Sequence, residues 1–244
     1  MKRPAKKTSR PAPVAPSPAP ALPPATPRRQ ILLVDDHPFM RAGLAQLIDK
    51  QSDLHVCGEA GNPIEAARLL AAGGVDLVLS DITMPGRSGL EFIKDLQVAH
   101  PALPVLVVSM HDEMLYAERV LRAGARGYIM KEAGGENLLR AIRQVLSGEV
   151  YLSPRVASKI VDDFSAKKPR GSTSPIEKLS NREFEIFQLI GQGRSTREIA
   201  TQLGLSPKTV DVHRGSLKRK LELTDATALV RHAVRWVEAQ HAGQ

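Results

Sequence analysis

The chain has 244 residues, 42% of them hydrophobic, and a formal net charge of +8; it can form one large domain or two modest ones with real cores. No run approaches the roughly 20 consecutive apolar residues of a membrane span, and the basic N-terminus lacks the apolar stretch of a secretory signal. The single cysteine, Cys57, excludes an internal disulfide framework and a Cys-rich zinc site, so a soluble, cytoplasmic protein with no membrane partner is expected.

Residues 1–29 hold nine of the 18 prolines. Such a Pro/Ala-rich basic tail cannot bury a core and is expected to be disordered, either simply solvated or a weak electrostatic arm toward a polyanion. The first 30 residues carry seven basic and no acidic side chains, and residues 31–163 carry 13 basic and 18 acidic. An acidic middle between basic ends hints at nucleic acid near the ends.

From residue 30 to 150 strand-like and helical patterns alternate. "ILLVD", "LHVCGEA", "VDLVLSD", "PVLVVSM" and "GYIMK" read as strands. "PFMRAGLAQLIDKQ", "PIEAARLLAAGG", "GLEFIKDLQVAH", "DEMLYAERVLRAG" and "ENLLRAIRQVLSG" have helical spacing. Five successive β–α units predict a doubly wound, five-stranded parallel sheet, an α/β fold with its working site outside the carboxyl ends of the strands. Cys57 lies within the second of these strands and reads as a buried structural thiol.

The strand ends explain an otherwise costly feature. "ILLVDDHPFM" closes an apolar run on two adjacent carboxylates, Asp35 and Asp36, and the third strand delivers Asp81 to the same edge. Three negative charges there call for a cation, and a hard ion such as Mg2+ prefers carboxylate, carbonyl and water oxygens. The fourth strand ends in Ser109 and the fifth near Lys131, whose ammonium can pair with Asp81. Phosphoryl transfer is the chemistry such a site favours: metal and lysine neutralise the transferring group while Asp81 attacks as nucleophile.

Residues 151–176 read as a linker. "SPRVASKIVDDF" is compatible with a short helix, and no packed structure is expected in the basic, turn-rich "SAKKPRGSTSP". Residues 177–244 read as all helix. Ser180 with Glu183 and Ser195 with Glu198 form capping boxes, and Ser206 before Pro207 caps a third helix. Gly191, Gly193 and Gly204 close the helices before them, and a fourth helix runs over residues 225–240. On the helix "SPKTVDVHRGSLKRKL", Val210, Leu217 and Leu221 share the inward face with His213 beside them. Lys208, Val212, Gly215 and Arg219 face outward, flanked by Asp211 and Lys218 on one side and Thr209 and Ser216 on the other. Such a surface suits a DNA groove, with Lys208, Thr209 and Lys218 on phosphates, Val212 against a thymine methyl, and Arg219 on bases or backbone. Asp211 would either accept from a cytosine amino group or anchor a neighbouring arginine, and Gly215 would let the backbone approach DNA closely.

Residues 30–150 resemble the receiver domain of two-component response regulators, by "VDDH", "SDITMPGRSG", "VVSM" and "GYIMKEA". Residues 177–244 resemble the LuxR-type helix-turn-helix domain, by "LSNREFEIFQLIGQGRSTREIATQLGLSPKTVDVHRGSLKRKLEL". Together they resemble the NarL/FixJ family of transcriptional regulators. The resemblance implies a flavodoxin-like receiver followed by a small all-α DNA-binding domain. It implies Asp81 as phosphoacceptor, with Mg2+ held by Asp35, Asp36, Asp81 and the backbone carbonyl of Thr83. Ser109 and Lys131 would bind the phosphoryl group, and Tyr128 would be the switch aromatic, turning inward as Ser109 moves. Many relatives carry lysine where this chain has Asp211 and Gly215. Implied partners are a sensor histidine kinase, double-stranded DNA, a second copy of the phosphorylated chain through its last helix, and RNA polymerase. An enzyme is not expected: dehalogenase-class phosphatases place their nucleophile on the first strand as D-x-D, and no P-loop or dinucleotide glycine motif occurs. The alternative reading is a DNA-binding regulator independent of phosphorylation, its receiver a docking or dimerisation module.

Overall fold

The computed structural model describes residues 27–84, 88–165 and 175–241. Its first unit runs β1 (Arg29–Val34), α1 (Pro38–Asp49), β2 (Leu54–Ala60), α2 (Pro63–Ala71), β3 (Leu77–Ser80), α3 (Gly89–Ala99), β4 (Val105–Ser109), α4 (Glu113–Ala123), β5 (Gly127–Met130) and α5 (Gly135–Leu146). The five strands are parallel in the order β2-β1-β3-β4-β5. The chain therefore winds one way from β1 and then the other, which opens a crevice at the carboxyl ends of β1 and β3. Asp35, Asp36 and Asp81 follow those two strands directly.

Alternation along the strands builds two cores. Leu32, Val34, Val78, Val105, Val107 and Tyr128 face α2, α3 and α4. Ile31, Leu33, Leu77, Leu79, Leu106, Val108 and Ile129 face α1 and α5. Every residue of β3 and β4 is buried, as expected of parallel strands covered on both sides.

Two sequence expectations need correction here. Cys57 is exposed. β2 is an edge strand, and its register against β1 jumps between Ile31, opposite Val56, and Leu32, opposite Gly58. Cys57 is the extra residue of that bulge, pushed out of the ladder and away from the core. β1 also begins at Arg29, inside the predicted tail, where the Arg29 guanidinium pairs with Asp76 at 2.9 Å. The rest of the predicted tail, residues 1–26, and the basic stretch 166–174 lie outside the described residues.

After α5, Tyr151 bridges β5 at Gly127, and α6 (Pro154–Ser165) packs along α4. Ser153 donates to Glu113 at 2.6 Å, and Lys159 Nζ donates to the Met114 carbonyl at 3.0 Å. The second unit is helical: α7 (Asn181–Gly191), α8 (Thr196–Gln202), α9 (Pro207–Lys220) and α10 (Ala226–His241), preceded by a 3-10 turn at Pro175–Lys178. Both capping boxes form, and Ser206 caps α9 by accepting from Thr209 N. Gly204, with φ of +62°, makes the turn between α8 and α9. α7 and α10 approach so closely that a Cβ on Gly191 would lie 2.5 Å from the Ala233 carbonyl oxygen.

The core facing α2, α3 and α4 continues without a break into the helical unit through Leu179, Phe184, Phe187 and Leu229. Among the described residues no helix is long and apolar enough to cross a membrane.

Candidate functional site

The opening of the sheet at β1 and β3 brings the predicted acidic residues together. Asp35, Asp36, His37 and Asp81 each offer one ligand atom, all within 4.8 Å of one another. Lys131, which follows β5, answers the repulsion: its ammonium donates to Asp35 Oδ2 at 2.6 Å and Asp81 Oδ2 at 2.7 Å, with only 3% of the side chain exposed. Burial alone would lower the lysine pKa, but the two carboxylates outweigh it and hold the ammonium above its ordinary value. Sequence reasoning paired Lys131 with Asp81 alone; the structure shares it between Asp81 and Asp35.

Asp81 is 4% exposed. Its Oδ1 accepts from the backbone N–H groups of Ile82 (2.6 Å) and Thr83 (3.2 Å), which aim the carboxylate. The loop after it lies tight against α3. A Cβ on Gly89 would sit 2.5 Å from Ile82 Cα and 2.7 Å from the Asp81 carbonyl oxygen, so no larger residue fits.

The donor set suits a hard divalent cation. Three carboxylates against one ammonium leave the pocket at about −2, and Asp36 Oδ1 is buried without a hydrogen-bond partner. His37 Nδ1 lies 2.8 Å from that oxygen outside hydrogen-bonding geometry. His37, overlooked in the sequence, is mostly exposed at the pocket rim; its place directly after the acidic pair was the available signal.

Ser109 ends β4 fully buried, its hydroxyl accepting a long bond of 3.4 Å from the His111 N–H. Tyr128 is 1% exposed. Its hydroxyl donates to the His111 carbonyl at 2.7 Å, and burial pushes its pKa far up. The predicted inward turn is thus already made in this structure, because the phenol finds its partner inside. His111 itself was not foreseen. Its Nε2 is hydrogen-bonded to Thr83 Oγ1 at 2.6 Å, and its ring packs on Tyr116 at 4.8 Å between centroids. Burial lowers its pKa against the pull of Asp81.

α9 has the expected two faces. Val210 and Leu217 are buried, with His213 half-buried beside them. Lys208, Asp211, Val212, Gly215 and Arg219 are exposed, Val212 at 66%. Thr209 and Lys218 are half-buried on the flanks. Ser216 is half-buried, and its hydroxyl donates to Glu183 Oε1 at 2.6 Å, tying α9 to α7. Among the described residues no ion pair joins Asp211 to an arginine. No atom lies within 4 Å of where a Cβ on Gly215 would be, so the helix presents a flat gap there.

Known proteins agree with this geometry. Residues 31–143 match the response regulator receiver domain, and residues 177–233 match the bacterial regulatory proteins of the luxR family. The oxygen regulatory protein NreC of Staphylococcus aureus is 36% identical over 210 residues, spanning 84% of this chain and 97% of NreC. A LuxR-family two-component response regulator from Aurantimonas sp. SI85-9A1 is 33% identical, with a TM-score of 0.53 over 57% of this chain and 99% of that one. The fold also matches RcsB from Salmonella enterica serovar Typhimurium, solved on promoter rprA with the phosphomimetic BeF3-. There the TM-score is 0.60 at 23% identity, over 85% of this chain and 99% of RcsB. With its acidic strand-end pocket and its capped helix-turn-helix, the chain belongs to the NarL/FixJ family of response regulators, a receiver joined to a LuxR-type DNA-binding domain.

Proposed function

We propose that this cytoplasmic regulator is switched by phosphorylation of Asp81 and then binds double-stranded DNA as a dimer. The observation that carries the reading is the buried Asp81 carboxylate, aimed by two backbone N–H groups and contacted by Lys131. In the transfer, an Asp81 oxygen bonds to phosphorus as the bond to the donor breaks; with a sensor kinase as donor, the electron pair leaves on the kinase histidine. Asp35, Asp36, Asp81 and the Thr83 carbonyl would hold Mg2+, which would neutralise charge on the phosphoryl oxygens. Lys131 would leave its bond to Asp81 for a phosphoryl oxygen, and the Ser109 hydroxyl would turn from Tyr128 to donate to another. Moving a 1:99 equilibrium to 99:1 needs about 5.5 kcal/mol. Two or three charge-assisted bonds, at about 1.5–3 kcal/mol each, supply that order of energy.

The receiver at 30–150 would act as the input, residues 151–176 as the linker, and residues 177–244 as the DNA reader. Lys208, Thr209, Val212, Gly215, Lys218 and Arg219 form the groove-facing set, with Asp211 exposed to accept from a cytosine amino group. Ser216 would act at the base of that surface through Glu183. A dimer formed through α10 would read two half-sites about one helical turn, roughly 10 bp, apart. RNA polymerase is a natural further partner, and no catalytic turnover of a separate substrate is part of the reading. Labelled acetyl phosphate with Mg2+ should leave close to one phosphate per wild-type chain and none on Asp81→Asn. Full labelling of Asp81→Asn would overturn the acceptor assignment.

A further inference from the structure

Asp35 and Asp36 leave β1 side by side, yet the fold treats them differently. Asp35 is tethered at each of its polar groups. Its N–H donates to the Ala60 carbonyl at 3.1 Å, its Oδ1 accepts from the His37 N–H at 2.8 Å, and its Oδ2 accepts from Lys131. Its carbonyl oxygen accepts from Arg41 Nη1. The Asp36 carboxylate has no comparable tether, and its Oδ1 is buried without a hydrogen-bond partner. A buried oxygen without a donor is costly, so the direction of this side chain has to be set through the backbone that carries it.

Arg41, on the first turn of α1, stands over that backbone. Helical side chains lean toward the N-terminus of their helix, and the Arg41 N–H closes the turn onto the His37 carbonyl at 3.1 Å. The guanidinium therefore comes back over the Asp35–Asp36 peptide, with only 19% of the side chain exposed. Its Nε is buried without a hydrogen-bond partner, 3.5 Å from Glu59 Oε2, while Nη1 bonds the Asp35 carbonyl. The loop after β2 closes the other side: a Cβ on Gly61 would lie 3.6 Å from Arg41 Nη1, and Glu65 accepts from the Gly61 N–H at 2.7 Å. The guanidinium is thus placed for the carbonyl rather than for its nearest acid. Because the peptide unit is planar, holding the Asp35 carbonyl oxygen also fixes the Asp36 nitrogen, and with it the direction in which the Asp36 side chain departs.

Resting on the reading that this pocket takes Mg2+, we infer that Arg41 is a positioning residue for metal binding: by clamping the Asp35 carbonyl it keeps the Asp36 carboxylate turned into the pocket. Charge and positioning make opposite demands here. Arg41 is a cation beside a cation site, so by Coulomb's law alone its removal strengthens Mg2+ binding. Loss of the clamp weakens binding, because Asp36 must then be ordered as the ion arrives. Removing such a supporting partner costs about 10- to 100-fold in metal affinity. The sign of the change separates a positioning role from a bystander charge.

Mg2+ titrated calorimetrically into the full-length protein should bind at least about 10-fold more weakly to Arg41→Ala than to the wild type. Arg41→Lys, which keeps a charged donor within reach of the carbonyl, should recover part of the loss. In labelling by acetyl phosphate, the Mg2+ concentration giving half-maximal rate should rise with the dissociation constant, and the rate at saturating Mg2+ should change far less. Arg41→Met retains the packed stem of the side chain and carries the same prediction should Arg41→Ala not fold. Affinity in these variants equal to or above that of the wild type would overturn the inference, as would a loss confined to the saturated rate. A wild type that binds no Mg2+ refutes the metal reading and the role of Arg41 with it; normal wild-type binding with unchanged variants refutes the role of Arg41 alone.

Discussion

Glu183 is the best place to test whether the geometry of the helical unit has been understood. Its carboxylate is 4% exposed and accepts from the Ser180 N–H at 2.7 Å, Ser216 Oγ at 2.6 Å and Lys220 Nζ at 2.7 Å. One acid thus closes the cap of α7 and fastens two points of α9. Burial alone would raise its pKa, but the bonds from Lys220, Ser216 and Ser180 more than offset that and lower it from 4.5 to about 2. At about 1.4 kcal/mol per pH unit, the fall is worth about 3 kcal/mol of folding stability. The folded pKa is depressed, so this contribution is present above the unfolded value near 4.5 and is lost as pH falls toward 2. Breaking one partner of a buried ion pair costs a similar amount, about 3–5 kcal/mol. Glu183→Gln keeps the shape and removes the charge. Its helical unit should melt about 10 °C or more below wild type at pH 7, since 1 kcal/mol moves a unit of this size by roughly 4–8 °C. The gap should narrow steadily in melts taken between pH 5 and pH 2.5. A variant within about 0.5 kcal/mol of wild type at pH 7, or a gap independent of pH, would refute the reasoning.

Two further substitutions probe the two functional surfaces. Lys131→Ala leaves Asp35 and Asp81 facing each other without their shared cation, at a cost of about 3–5 kcal/mol; Mg2+ should raise its melting temperature more than that of the wild type, and an equal Mg2+ response would deny the lysine its charge-balancing role. Arg219→Ala should weaken binding to cognate DNA and, if the guanidinium meets a phosphate, lower the salt slope by about one; unchanged affinity across a salt series would remove it from the interface.

Much of this site could be read from linear spacing, because a parallel β–α repeat places each strand's last residues at one edge. Asp35, Asp36, Asp81, Ser109 and Lys131 needed only that rule. The capped helices at Ser180, Ser195 and Ser206 were equally legible, since caps are local. Cys57 was misread because a bulge adds one residue to an edge strand, and hydrophobic content alone cannot show where alternation slips. The Ser216–Glu183 bond was not legible, because a helical wheel gives direction but not the acceptor supplied by another helix. His111 stood out least: its contacts are with Thr83 and Tyr116, residues 28 positions before and five after it in the chain. Contacts between units carry no periodicity, so they become visible only when both folds are in place.

The central claim is that charge added at Asp81 governs the grip on DNA. It is tested most directly by measuring, in one salt, the affinity of the full-length protein for a duplex carrying its two half-sites, with and without Mg2+ and beryllofluoride. Tighter, dimeric binding that appears with beryllofluoride in the wild type and is absent in Asp81→Asn is the predicted result. Equal affinity in all four samples would contradict the account and leave a DNA-binding protein whose receiver serves only for docking or dimerisation.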